Sequence, residues 1–275
     1  MKMQTEHKPG IEVAKNLEGI KHRLLVMSGK GGVGKSTVAS NLAIALSLKG
    51  YEVGLLDVDI HGPSIPKMLG LGGRKITGGD DGLLPVFAMP NLIVMSIGFF
   101  LREDDAPVIW RGPLKMGAIR HFLEEVKWGD LDYLIVDLPP GTGDEPLSVA
   151  QLMPESDTII VTTPQDVALL SVRKSINFAK TLKMKIVGIV ENMSGLACPH
   201  CGKNIDLFKI GGGEKAAADF SIPFLGRIPI DPKIVEEGDK GIPFILSQDD
   251  SIVVKAFNQI VEKIEKQYEE VRKEV

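Results

Sequence analysis

The stretch that decides the fold is Gly29-Lys30-Gly31-Gly32-Val33-Gly34-Lys35-Ser36-Thr37. Arg23-Leu24-Leu25-Val26-Met27-Ser28 precedes it, an apolar run that predicts a buried strand. Val38-Ala39-Ser40-Asn41-Leu42-Ala43-Ile44-Ala45-Leu46 follows, and its small and apolar residues suit a helix packed on a sheet. Strand, glycine loop and helix form the setting of a phosphate-binding P-loop, and the pattern G-x-x-x-x-G-K-[ST] is matched in full. Glycines let the backbone curl so that successive N–H groups face phosphate oxygens. The helix start adds unpaired donors and a positive dipole end. In this pattern Lys35 reaches the β- and γ-phosphates, and the Ser36 hydroxyl ligates Mg²⁺. The stretch therefore points to nucleotide binding.

Two acidic strand ends are placed to complete such a site. Tyr51-Glu52-Val53-Gly54-Leu55-Leu56-Asp57 reads as the second strand and runs into Val58-Asp59. Carboxylates at the C-terminal end of a parallel strand face the crevice where α/β sheets bind ligands. Alternation sets Asp57 and Asp59 on one side of an extended chain. One can hold a Mg²⁺-bound water while the other orients the attacking water. Asp132-Tyr133-Leu134-Ile135-Val136-Asp137 is an apolar strand ending in an acid, the Walker B form, so Asp137 is a further Mg²⁺ candidate. The loop after it, Leu138-Pro139-Pro140-Gly141-Thr142-Gly143-Asp144, has two glycines that allow it to rearrange with the nucleotide.

The chain has 275 residues with 44% hydrophobic and 25% charged content, in the range of an ordinary globular protein. A net charge of −4 gives no general electrostatic case for nucleic acid as a partner. No run approaches the roughly 20 apolar residues that span a bilayer, so no membrane partner is expected. Met1 to Gly10 lacks the apolar core of a signal peptide, and a cytoplasmic protein is expected. Residues 1–22 are polar and mixed in charge and read as a loosely attached arm, with residues 23–275 as the domain.

Within that domain, residues 70–82 read as a glycine-rich loop or hairpin tip, and Leu114 to Val126 as a helix. Asp157 to Thr162 and Lys185 to Val190 read as strands on either side of a helix from Asp166 to Leu182. Gly211-Gly212-Gly213 reads as a flexible connector, and Phe224 to Pro229 as the last strand. Apolar residues at i, i+3, i+4 spacing (Ile252, Val253, Ala256, Phe257, Ile260, Val261, Ile264) predict a terminal amphipathic helix. Strands alternating with helices, without a low-complexity linker, indicate one doubly wound, mainly parallel α/β domain.

Cys198-Pro199-His200-Cys201 carries the only two cysteines of the chain. Two thiolates at this spacing bind one soft metal or one edge of a cluster, and they cannot complete a four-coordinate site. A second copy of the chain, related by a two-fold axis, would supply the missing pair. A [4Fe–4S] cluster and a Zn²⁺ site at such an interface both satisfy that count. A redox dithiol and plain free thiols are the other readings.

The loop K-G-G-V-G-K-S, D-V-D, W-R-G-P, D-L-P-P-G-T-G-D, E-N-M and C-P-H-C together resemble the Mrp/ApbC-type family. These are ATP-dependent iron–sulfur cluster carriers within the MinD/ParA-like superfamily of deviant P-loops. The resemblance implies the P-loop NTPase fold and a slow ATPase. It implies a homodimer in which Lys30 reaches across to the partner's nucleotide. It assigns Asp59 to orienting water, Asp57 to the metal shell and Asn192 to the adenine. Cys198 and Cys201 of two chains would hold a [4Fe–4S] cluster for delivery to apo iron–sulfur proteins. Family members often carry cysteines or extra modules ahead of the P-loop, which this sequence lacks. A positioning or partition ATPase of the same superfamily is the competing expectation, but it leaves the C-x-x-C without a task.

Overall fold

The computed structural model describes residues 10–60, 62–79, 82–100, 112–197, 201, 203–205, 207–247 and 251–274. The chain opens with α1 (Ile11–Asn16) and β1 (Ile20–Met27), then α2 (Lys35–Leu48), β2 (Val53–Asp57) and α3 (Ile65–Met68). Four short strands follow: β3 (Thr77–Gly79), β4 (Gly82–Leu84), β5 (Val86–Met89) and β6 (Leu92–Ser96). Next come α4 (Gly112–Glu125), β7 (Leu131–Asp137), α5 (Asp144–Leu152), β8 (Asp157–Thr162) and α6 (Asp166–Thr181). The last part holds β9 (Ile186–Ala197), β10 (Asn204–Ile205), α7 (Gly212–Asp219) and β11 (Phe224–Ile230). Three helices end the chain: α8 (Pro232–Lys240), α9 (Phe244–Ser247) and α10 (Ile252–Glu274).

Nine strands form one sheet in the order β10-β9-β8-β1-β7-β2-β6-β5, with β11 also paired to β9. From β6 through β2, β7, β1 and β8 to β9 and β11, every pairing is parallel. β5 on β6 and β10 on β9 are antiparallel, and β3 and β4 form a separate hairpin within the glycine-rich stretch. The expected mainly parallel, doubly wound sheet is therefore present.

Side-chain alternation builds two cores. Leu24 and Val26 of β1, with Tyr133 and Ile135 of β7, face α2 and α10. Leu25 and Met27 of β1, with Leu134 and Val136 of β7, face α4, α5 and α6. A central strand buried on both faces must be apolar at every position, which is why β1 ends in an unbroken Leu-Leu-Val-Met run. The amphipathic stripe expected near the C-terminus is seated: Val253, Phe257, Ile260, Val261 and Ile264 of α10 are all buried.

The start of the chain differs from expectation. Residues 11–22 are not a loose arm: Val13, Leu17 and Ile20 are buried in the second core. Asn16 pins the segment by donating its amide to the carbonyls of Leu123 and Val126, each at 2.8 Å. A six-residue helix is too short to be stable alone, so this tertiary anchoring holds it in place.

Candidate functional site

The strand order brings the C-terminal ends of β1, β2 and β7 side by side. Leu25 and Val26 of β1 lie level with Val136 and Asp137 of β7, and Asp57 of β2 lies level with Asp137. The P-loop leaves β1 at this edge, where open α/β sheets place their ligands. Gly32 and Gly34 both adopt φ +77°, a left-handed backbone that glycine takes without strain. Gly29 passes so close to α6 that a Cβ there would overlap the Ser171 carbonyl.

A cavity of about 480 Å³ opens above the loop. Its floor is Gly31 to Thr37, with Asp59 and Pro140 beside it, and its far wall is Ser64, Lys67 and Met68 together with Ile234, Val235, Gly238 and Asp239 of α8. That outer wall was not legible in the sequence. Asp231 caps the start of α8, accepting from the Lys233 amide at 3.0 Å, with Pro232 in the first turn. Nothing in that capping signal says that α8 faces the P-loop across a gap.

Inside the site Lys35 is buried and its Nζ lies 2.6 Å from Asp137 Oδ1. Asp57 is buried beside them, accepting from Ser96 Oγ at 3.0 Å and from the Asp59 amide at 3.1 Å. Burial, and next the Asp137 charge, push the Asp57 carboxyl up to about 8, against the opposing pull of Lys35. Burial also raises Asp137, with Lys35 opposing it. Asp137 Oδ2 is buried without a hydrogen-bond partner among the described residues. A fully buried carboxylate oxygen left unpaired is a position for a cation. Among the described residues no three His, Cys, Asp or Glu side chains form a metal cage. Mg²⁺ does not need one, since it is held by one or two carboxylates together with substrate phosphates. The donor set of Ser36, Asp57 and Asp137 fits that chemistry.

Lys30 is half-buried and its Nζ lies 3.4 Å from Gln165 Oε1 of its own chain. Asn192, expected at the adenine, lies against the P-loop. Its buried amide donates to the Val33 carbonyl at 2.9 Å, and it is not among the residues lining the cavity. A Cβ on Gly34 would overlap Asn192 Nδ2, so this glycine permits a close approach as well as a turn.

Sequence reading passed over Glu191. It is fully buried, accepts from the amides of Gly211 and Gly213 and from Ser194 Oγ, and has Arg227 Nε at 3.3 Å. The triple glycine, expected to be a flexible connector, is wrapped around this carboxylate and starts α7. Cys201 is exposed in the connection between β9 and β10. Cys198, like Arg111 of the W-R-G-P stretch, lies outside the described residues.

A parallel sheet carrying a complete P-loop, with a strand-end aspartate paired to its lysine, defines a P-loop NTPase. Residues 19–265 match the ParA family described as NUBPL iron-transfer P-loop NTPase, and the chain belongs to that family. It is 53% identical over 260 residues to an iron–sulfur cluster carrier protein of Methanocaldococcus jannaschii, covering 92% of this chain and 89% of the relative. It is 45% identical to the cytosolic Fe-S cluster assembly factor NUBP2 of Bos taurus, covering 95% and 97%. Among solved structures, it resembles a nucleotide-binding protein of Archaeoglobus fulgidus in complex with ADP, with Co found by PIXE. That match has 43% identity and a TM-score of 0.75 over 84% of this chain and 90% of the other. The MinD cell division ATPase of Pyrococcus furiosus, 24% identical with a TM-score of 0.64, shares the fold; the match covers 90% of this chain and 99% of that one. Among the described residues no helix is long and apolar enough to cross a membrane.

Proposed function

We propose that the chain is an ATP-hydrolysing iron–sulfur cluster carrier that works as a homodimer and delivers its cargo to apo iron–sulfur proteins. The observation that carries the ATPase half is the buried Lys35–Asp137 pair at the floor of a cavity sized for a nucleotide. The carrier half rests on the cysteine pair and on relatives at 45–53% identity whose names are those of cluster carriers and assembly factors. The positioning-ATPase reading has only fold-level likeness behind it, at 24% identity to MinD.

In this reading the amides of Gly29 to Thr37 bind the β- and γ-phosphates, and Lys35 turns from Asp137 to the phosphate oxygens. Ser36, Asp57 and Asp137 would hold Mg²⁺, which when bound neutralises charge on the phosphate oxygens. Asp59, exposed to the cavity, orients the water that attacks the γ-phosphorus; ADP and phosphate leave. Lys30 leaves Gln165 and reaches the nucleotide of the partner subunit. Asn192 reads the adenine and also positions the P-loop, since donation to Val33 uses only one N–H of its amide. Cys198 and Cys201 of both copies hold the [4Fe–4S] cargo, since one chain supplies only two thiolates.

Anaerobic reconstitution with iron and sulfide tests the carrier half. Four iron and four sulfide per dimer, lost in Cys198→Ser and in Cys201→Ser, are the expected result. Tight zinc at one ion per dimer with no cluster would replace the cargo by a structural metal.

A further inference from the structure

The nucleotide loop and the cysteine segment are attached to one strand. Asn192 in the middle of β9 donates to the Val33 carbonyl of the P-loop. Five residues later β9 ends at Ala197, and its hairpin with β10 (Ala197 opposite Asn204, Leu196 opposite Ile205) closes the connection that carries Cys201.

Between these points the strand is not regular. Ile228 of β11 pairs with Asn192 and Ile230 pairs with Leu196, so two steps along β11 match four along β9. The extra residues are taken up by left-handed backbone at Met193 (φ 56°) and Gly195 (φ 80°). Bulges of this kind re-aim a strand and gather beside functional sites. A methionine at positive φ is strained and persists only because its surroundings hold it. On one side Asn192 is fixed to the loop. On the other, Glu191 gathers Ser194 Oγ and the amides of Gly211 and Gly213. The bulge is therefore gripped at its base by Glu191, and its input is the position of Val33.

Val33 is two residues from Lys35, whose ammonium is held by Asp137 in this structure. A bound phosphate would compete with Asp137 for that ammonium, and the loop that carries Lys35 would shift with it. We propose that Asn192 and the Met193–Gly195 bulge convert the arrangement of the P-loop into the exposure and orientation of Cys201. Asn192 acts as a positioning residue. The proposal deepens the carrier reading and rests on it for its purpose, although the coupling itself requires no cluster.

The test uses the full chain carrying Cys198→Ser, so that Cys201 is the sole thiol, and measures its maleimide labelling rate with and without saturating Mg-ATP or Mg-ADP. A nucleotide-dependent change of about fivefold or more is expected. Asn192→Ala and Asn192→Asp both remove the donor to Val33, and each should bring the ratio close to one at nucleotide concentrations shown to saturate that variant. Met193→Gly takes the left-handed backbone without strain. It should fold, bind nucleotide as the parent does, and lower the ratio by loosening the joint. A ratio of one in the parent overturns the proposal, as does an unchanged ratio in the Asn192 and Met193 variants. A protein that fails reconstitution yet keeps the labelling ratio loses the carrier reading and retains the coupling. One that binds cluster without a nucleotide-dependent ratio does the reverse.

Discussion

At the scale of single residues, the site is defined by buried charges that neutralise one another within the chain. Asp57 keeps a proton that the unfolded chain would release, because burial and Asp137 push its carboxyl up to about 8. The unfolded carboxyl titrates near 3.8, so the favourable contribution is complete below that pH and is lost as pH rises through the folded value. Apo protein is expected to lose thermal stability between pH 5 and pH 8 on this account. Asp57→Asn, which is neutral at every pH, should give a shallower fall and a higher melting temperature at pH 8. Scanning calorimetry of both proteins without nucleotide or Mg²⁺ across that range checks this. A variant as pH-dependent as the parent would remove Asp57 as the source. Lys35, Ser36 and Asp137 were legible because their motifs state the chemistry, even though Lys35 and Asp137 are 102 positions apart. Glu191 was not. Its partners Gly211 and Gly213 lie 20 and 22 residues away, and no motif joins them.

Elements were legible in proportion to how much of their identity is local. β1 and β7, apolar along the buried part of each strand, and α10, with its repeating stripe, carry their assignment in their own residues. α1 does not. Ile11-Glu12-Val13-Ala14-Lys15-Asn16 is short and polar enough to read as an arm, and only the contacts of Val13, Leu17 and Asn16 with the α4 layer make it part of the body. Leu17→Ala should therefore cost about 2–5 kcal/mol in urea unfolding, as a core leucine does. An effect below about 0.5 kcal/mol, the level of an exposed position, would restore the arm. The wall made by α8 was hidden for a different reason. Its capping residues are local, but its place across the cavity from the P-loop is set by β11 and the sheet.

For the molecule as a whole, the proposed homodimer is what would give Lys30 a role beyond its own chain. In this structure the lysine turns toward Gln165 at 3.4 Å, a weak hold that a partner's phosphate can displace. Lys30→Gln is expected to bind ATP close to normally while hydrolysing it at least about tenfold more slowly, consistent with loss of one transition-state contact. Sedimentation with Mg-ATP should show the dimer fraction reduced. Normal turnover and normal association in this variant would make Lys30 an ordinary loop residue.

The Lys35–Asp137 contact also means that an incoming phosphate meets a competitor within the chain. Phosphate does not add to a vacant cation; it must evict a carboxylate that already occupies it at 2.6 Å. The evicted carboxylate is then left buried and uncompensated unless another positive charge arrives with the phosphate. In the proposed function nucleotide and divalent ion would each lower the cost of the other's entry. On that proposal a nucleotide that travels with its metal would load the site readily, while a lone anion would meet the Lys35–Asp137 pair without the compensating charge.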